Sequence, residues 1–491
     1  MRYLTMYFIA FLLLLNSCKK EFEGDRKTQL PPETFTLVDS IYRDAGNLLT
    51  TTVMANWWGQ STSGFISGYE VSIDNQQTWQ FTKNQAGTYL LSLPIGQQSG
   101  NLPIFVRAID NLGQKDPTPA VMVFPVQNTA PSIMFDFSTG RKTSSLPAFR
   151  YNWIPADVDG IQDIANIEIV LNDTNGIVLS LPSNTLGASF VATKIAANFD
   201  TLFQVYVNNR SIPQPEKLHG AVFDQKNYIY IRSVDKVGAT SAWVKDSILL
   251  KKPISDFLMV NDYRAAKASV QNFYTNQLNA IGTPYNKFDV VQDVLTELPA
   301  DVFTTIKLLE FYSKIVWYSD DPASSLSLAQ LITGNFFQQG GRMFMILEIP
   351  NDFPERSPFL NFTPVDALVV PEPGTVLRMN VNETMNPYPS LGAGWPVLKS
   401  TSILSNARPF YTFTTPSGAF TYDSLYTANL LGQNTTGTLA WNGVANVMSK
   451  RIKVSTRKPD LVFSSLPLHR LNGNNNIDSL LRKVLIDELE F

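Results

Sequence analysis

One pattern occurs twice in this chain, and it limits the fold more than any other feature. NWWGQSTSGFISGYEVSIDN at 56–75 lines up with NWIPADVDGIQDIANIEIVLND at 152–173, and IFVRAIDNLG at 104–113 with IYIRSVDKVG at 229–238. Within the first copy Tyr69, Val71 and Ile73, then Ile104, Val106 and Ala108, occupy every second position. That period places them on single faces of half-buried strands, and Gly, Asn, Asp and Pro mark the strand ends. A repeated unit of this kind predicts two tandem β-sandwich modules, over 31–127 and 128–252.

The Trp-bearing strand, the following GYEVSID strand and the later FVRAIDNLG resemble fibronectin type III and related Ig-like domains of bacterial envelope proteins. The second copy departs from that pattern in its longer middle, LPSNTLGASFVATKIAANFDTLFQ. Trp57, Trp58, Tyr69 and Trp79 have the chemistry of a sugar-stacking platform, but strand-borne aromatics routinely fill the core of this fold, and that is the reading adopted.

The texture changes at KKPISDFLMVNDY. Ser255 to Val260 reads as a buried strand, and Val270, Phe273, Tyr274, Leu278 and Ile281 recur at helical spacing before Gly282. KFDVVQDV at 287–294, KIVWYSDD at 314–321 and RMFMILE read as further strands; Leu328, Leu331, Ile332 and Phe336 mark a helix over 324–339 closed by Gly340 and Gly341. VFSSLPLHRL at 462–471 reads as another strand and its exit loop. Ile477, Leu480, Leu481, Val484, Leu485 and Leu489 form the stripe of a last helix. Strands alternating with helices predict an α/β three-layer domain with a mostly parallel sheet over 253–491, and the Pro-, Gly-, Asn- and Thr-rich stretch at about 350–450 reads as an insertion or lid-like elaboration.

LMVNDY, KIVWYSDD, GGRMFMILE and the closing LPLHRL…LLRKVL resemble the class I glutamine amidotransferase-like, flavodoxin-like domains at the end of some Bacteroidetes lipoproteins. Activity of that kind needs a cysteine on a strand-to-helix elbow with a histidine behind it, because an activated thiolate attacks the amide. Here Leu347, Glu348 and Ile349 fall at the elbow, and Arg470 and Leu471 follow His469 where the family has a His-x-Glu pair. The resemblance therefore implies a domain that is catalytically dead as an amidotransferase.

The single cysteine, Cys18, follows one arginine, an apolar run from Met6 to Leu15, and Asn16-Ser17. The run is too short for a permanent membrane helix and fits the core of a signal peptide over 1–17. LLNSC resembles the lipobox of bacterial lipoproteins, which makes Cys18 a lipid attachment point, and residues 18–30, acidic at Glu21, Glu23 and Asp25, a tether. The acidic tail resembles that of Bacteroidetes lipoproteins routed to the outer leaflet of the outer membrane. The expected location is the cell envelope, lipid-anchored to the outer membrane and surface-exposed.

A formal net charge of −3 provides no basic field for nucleic acid. Two histidines and one cysteine cannot assemble a multi-histidine or thiolate zinc site, and HExxH, GxSxG and Walker patterns are missing from the sequence. DVDGIQDIAN at 157–166 has a calcium-like run of acids but lacks the Glu that closes an EF-hand loop, and it is read as a turn. No metal and no cofactor is expected.

Ligands of open parallel sheets lie beyond the carboxyl ends of the strands. That rule selects Asp262 after the first strand, Asp320 and Asp321 after the third, Glu348 after the fourth and His469 after the last as a candidate crevice. Helix capping by the same acids is the competing account, and Asp320-Asp321 before Pro322 suit it. The functional expectation is a non-catalytic, lipid-anchored protein in which two sandwich spacers carry a domain that binds an envelope glycan, peptide or partner protein. The competing expectation is an envelope hydrolase using the strand-end acids and His469.

Overall fold

The computed structural model describes residues 29–44, 47–94, 96–138, 141, 143–195, 198–208, 210–290, 298–414 and 418–491. Cys18, the signal peptide and nearly all of the tether lie outside the described residues. The chain forms two compact units: Met1–Ser132 with Ala156–Ala165 and Ser233–Ser241, and Ile133–Pro155 with Asn166–Arg232 and Ala242–Phe491.

In the first unit, Glu33–Asp44, Asn47–Gln60 and Ala86–Ser92 make a three-stranded antiparallel sheet, and Gln80–Thr82, Ile66–Ser72, Ser99–Asp110 and Ala120–Gln127 a four-stranded one. One core lies between them. Val53, Ala55, Trp57 and Leu91 face Tyr69, Val71, Ile104, Val106 and Ala108 across it, so the alternating residues of the repeat point inward as the period requires. Ile73 does not: the strand ends at Ser72, and Ile73 is exposed in the turn beyond it. Trp57 is buried with its indole N–H donating to the Asn84 carbonyl at 2.9 Å, and Tyr69 is buried beside it, so neither offers a face to a sugar. Trp58 is exposed but stacks on Phe35, and the Arg107 guanidinium lies 4.0 Å from the centre of the Trp79 ring.

The sandwich of the second unit repeats the plan. Its two sheets run Asn198–Val207, Gly187–Ile195, Ala148–Ala156, Ser132–Phe135 and Leu179–Pro182, Ile164–Leu171, Gln225–Asp235, Val244–Leu250, Ser144–Ser145. Trp153 takes the role of Trp57, buried with its indole N–H on the Thr185 carbonyl. Arg232 pairs with Glu168 at 2.6 Å beneath Trp243, as Arg107 pairs with Glu70 at 2.7 Å beside Trp79. The long middle of this copy becomes the hairpin Gly187–Ile195/Asn198–Val207, which widens one sheet. Tyr206 and Ser189 of that hairpin pack on Phe303 and Thr304.

The rest of the second unit is built on a nine-stranded sheet. We label five of its strands β1 (Phe257–Asp262), β2 (Asn286–Asp289), β3 (Lys314–Ser319), β4 (Arg342–Leu347) and β5 (Lys458–Ser464). They lie in the order 2-1-3-4-5, all parallel. Beyond β5 come Asn446–Lys453, Phe420–Ala428, Thr384–Pro387 and Leu398–Lys399, each antiparallel to its neighbour. The sheet is thus half parallel, not mostly parallel, because the 350–450 region supplies strands to it.

The middles of β1, β3 and β4 are apolar, and their alternate residues enter two cores. Leu258, Val260, Ile315, Trp317, Met343 and Met345 pack with helices Leu298–Leu309 and Pro322–Ile332. Phe257, Met259, Val316, Tyr318, Phe344 and Ile346 pack with helix Lys267–Ile281 and the C-terminal helix that starts at Ile477. All six residues of the predicted last stripe are buried. The predicted helix over 324–339 is instead Pro322–Ile332 followed by the short Gly334–Gln338, and Leu331 points to solvent. No helix of the described residues is long and apolar enough to cross a membrane.

Candidate functional site

Strand order reverses beside β1, where β2 lies on one side and β3 on the other, and the chain leaves both β1 and β3 at the same edge. A cleft of about 500 Å³ opens there, lined by Tyr263, Ser269, Asp320, Glu348, Asn406, His469 and Arg470, among others. Such a reversal leaves a gap between the loops that diverge from it, which is the general reason ligands bind at this place in doubly wound sheets.

Three of the five candidates meet in that cleft: Asp320, Glu348 and His469. Glu348 is the first residue past β4, its N–H held by the Ser319 carbonyl at 3.0 Å. Its Oε2 accepts the Tyr263 hydroxyl at 2.5 Å and its Oε1 the Arg470 guanidinium at 3.3 Å. Arg470 is braced in turn by Ser402 Oγ at 2.9 Å and by the Ile403 carbonyl. Burial, reinforced by the Glu348 carboxylate, pushes the Tyr263 phenol far above its usual range, so Tyr263 stays a donor.

Asp320 accepts the N–H groups of Arg264 and Ala265 at 2.8 and 2.7 Å, and so ties the loop after β1 to the loop after β3. That loop passes through Ala266 at φ 49°, a left-handed conformation that a β-carbon disfavours by about 1 kcal/mol. Helix Lys267–Ile281 starts there without a side-chain cap.

His469 sits in a short 3-10 turn, its ring edge-on to Tyr263 at 5.1 Å and to Tyr274 at 6.2 Å. Burial, with the Arg470 charge next to it, lowers its pKa to about 4, so the ring is neutral at neutral pH. Its Nδ1 is buried with no hydrogen-bond partner.

The structure separates the other two candidates from the cleft. Asp321 caps helix Pro322–Ile332 through the Ser324 N–H at 3.3 Å, pairs with Arg264 at 3.1 Å, and lines a neighbouring depression with Asp352 and Phe353. Asp262 is the last residue of β1 and is buried beneath the surface, bonded to the Ser325 hydroxyl. Burial raises its pKa to about 6 against the pull of Ser325, Arg264 and Trp317. The capping reading therefore holds for Asp321, and Asp262 acts inside the domain.

The spacing of strands and acids did not single out Tyr263, Arg470, Ser269 or Asn406. Tyr263 and Arg470 each adjoin a chosen residue, so extending every strand-end position by one would have found them. Asn406 comes from the 350–450 region, where no local signal marks it. Chemically, the cleft offers one neutral imidazole, two carboxylates held by donors, and a guanidinium. Among the described residues no Cys, Asp, Glu or His group forms a ready metal cage.

No family model matches the chain, and no curated protein matches it. Among solved structures it is similar to the fibronectin(III)-like modules of Clostridium thermocellum CbhA, at 16% identity over 44% of this chain and 95% of that one, with a TM-score of 0.17. The PKD1 domain of Vibrio anguillarum Epp matches at 14% identity over 20% of this chain and 96% of its own, with a TM-score of 0.15. The FN1-FN3 domains of chicken CNTN1 match at 9% over 46% and 69%, with a TM-score of 0.18. Likenesses this remote carry no weight on function, and the sandwich assignment stands on the strand pairing described above.

Proposed function

We propose that the chain is a lipid-anchored cell-envelope protein of a Gram-negative, Bacteroidetes-type bacterium, whose C-terminal domain is a degenerate amidotransferase-like fold that binds an envelope glycan, peptide or partner protein without cleaving it. The supporting observation is the state of Glu348. It stands at the end of β4, where the resemblance puts the nucleophile elbow, and it is clamped between Tyr263 and Arg470. A carboxylate fixed by two donors positions a ligand better than it attacks one. The strand order 2-1-3-4-5 supports the flavodoxin-like part of the reading, and LLNSC at Cys18 supports the anchor and the outer-membrane location.

The second reading, an envelope hydrolase, draws on one observation: His469 is neutral at pH 7 with an unpaired Nδ1 in the same cleft as Asp320 and Glu348. Incubating the full chain with labelled muropeptides distinguishes the two. Retention without turnover, lost in Arg470→Ala, supports binding; turnover that disappears in His469→Gln and Glu348→Gln overturns it in favour of hydrolysis. Labelling cells with an alkyne-bearing palmitate tests the anchor, and label that persists in Cys18→Ser would refute it.

A further inference from the structure

The outer face of one sheet in the second sandwich carries a row of rings and cations. Its strands Gln225–Asp235 and Val244–Leu250 run antiparallel, with Tyr228 opposite Ser247 and Tyr230 opposite Lys245. Ile229 and Ile231 are fully buried, so Tyr228, Tyr230 and Arg232 stand on the outer face. Lys245 joins them there, its ammonium 5.0 Å from the centre of the Tyr228 ring and 5.9 Å from that of Tyr230. Trp243 ends the row, with the Arg232 guanidinium 4.4 Å from its ring centre. At about 3.3 Å of rise per residue, Tyr228 to Arg232 spans roughly 13 Å.

The charge on this face is unbalanced. Glu168 pairs with Arg232, but no carboxylate among the described residues pairs with Lys245, or with Lys226, which follows the same alternation as Tyr228. Asp246, next to Lys245, points to the opposite face, where it is buried and held by Arg141 and the Tyr151 hydroxyl. Lys245 is exposed, and the Tyr228 side chain is 39% exposed.

The internal repeat provides a control. Pro103, Phe105 and Arg107 align with Tyr228, Tyr230 and Arg232, and Val121 stands opposite Phe105 as Lys245 stands opposite Tyr230. The bond from the arginine to a glutamate recurs in both copies, so the fold accounts for Arg232. A proline and a valine in the first copy show that the sandwich forms without Tyr228 and Lys245.

We infer that this face binds an acidic polysaccharide built of uronic acid units. Sugar rings present C–H faces that stack on aromatic rings, while the tyrosine hydroxyls and the indole N–H bond to sugar hydroxyls. The Lys245 ammonium is held by two rings and by no acid, which leaves it to take a carboxylate of the chain in a charge-assisted hydrogen bond, with Lys226 beside it. A straight row along a strand matches an extended chain. A neutral glycan leaves the ammonium unmatched, and a nucleic acid carries far more charge than two free lysines neutralise. The face shares no residue with the cleft of the C-terminal domain.

Isothermal titration of the full chain with a hexamer of α-linked galacturonate, and with the same hexamer methyl-esterified, tests the inference. The expected result is one site per chain with a Kd below about 1 mM for the acid form, weakened at least about threefold by esterification or by about 0.5 M salt. Lys245→Gln should abolish the difference between acid and ester, and Tyr228→Ala/Tyr230→Ala should weaken both about tenfold. Arg470→Ala should leave this binding unchanged even where it abolishes binding in the cleft. Absence of binding at about 1 mM, a Lys245→Gln variant that still prefers the acid form as the parent does, or binding lost in Arg470→Ala overturns the inference. So does a single-stranded oligothymidylate that displaces the galacturonate and binds more tightly. Should the double tyrosine variant fail to fold, Lys245→Gln, a change at an exposed side chain, decides alone.

Discussion

Replacing Arg451 by methionine should loosen the antiparallel end of the large sheet more than any surface change. Arg451 lies in Asn446–Lys453 and Asp460 in β5, and the two side chains are 6% and 4% exposed. Nε and Nη2 donate to the two carboxylate oxygens at 2.8 and 2.9 Å, Nη1 reaches the Phe362 carbonyl, and Phe337 and Phe420 flank the guanidinium at 4.5 Å. Methionine keeps most of the volume but leaves Asp460 buried. Breaking one side of such a pair costs about 3–5 kcal/mol. Lys453, 3.7 Å from Asp460 Oδ2, takes up part of the charge and brings the expectation to the low end, about 3 kcal/mol. For amides protected by opening of this sheet, that is roughly 150-fold faster hydrogen exchange, read by mass spectrometry on peptides spanning 446–464. Adding Asp460→Leu should recover most of the loss, because an apolar pair of similar volume carries no desolvation penalty. Acceleration under about tenfold, or a double variant no better protected than the single one, would refute the reasoning.

The cleft and the sandwiches allow further tests. Tyr263→Phe removes a hydrogen bond to a carboxylate and should cost about 1.5–3 kcal/mol, with Glu348 left on Arg470 alone; chemical denaturation measures it. Trp153→Ala empties the core of the second sandwich and should cost about 3–5 kcal/mol, while Trp58→Ala, on an exposed ring, should cost under about 1 kcal/mol. Asp262 keeps its proton to about pH 6 in the folded chain against 3.8 ordinarily, so its contribution to stability is full below 3.8 and is lost as pH rises from 3.8 through 6; Asp262→Asn should be more stable than the parent at pH 7. His469 titrates near 4 against 6.5 ordinarily, so the unfolded chain takes up its proton first and stability falls as pH drops from 6.5 toward 4; His469→Gln should abolish that slope in thermal melts taken across the range. The two slopes oppose each other between about pH 4 and 6, so each variant should expose the slope that the other residue produces.

The strand faces of the sandwiches were legible in the residues because a strand alternates with period two whatever it pairs with: Ile104, Val106 and Ala108 are all fully buried. The last helix was legible from apolar residues recurring every three to four positions, although its second half, Lys483–Glu488, winds as a π-helix. Leu331 failed because the buried face of Pro322–Ile332 runs through Ser325, Leu328, Ala329 and Ile332, and at about 100° per residue Leu331 falls to one side of it. The strand-end rule found Glu348, Asp320 and His469, yet it could not separate Asp320 in the cleft from Asp321 capping the next helix, one residue later. That choice depends on the N–H groups of Arg264 and Ala265, which arrive from a loop more than fifty residues away. In the same way, nothing local marks Arg470 as the partner of Glu348, 122 residues earlier, or Asn128 as the neighbour of Asp235. Periodicity is a property of one segment and is written in it. Which charged atoms end up facing one another is settled only when distant strands close into a sheet, since burial and pairing, not residue type, decide whether a carboxylate caps a helix, braces a loop or is clamped by donors.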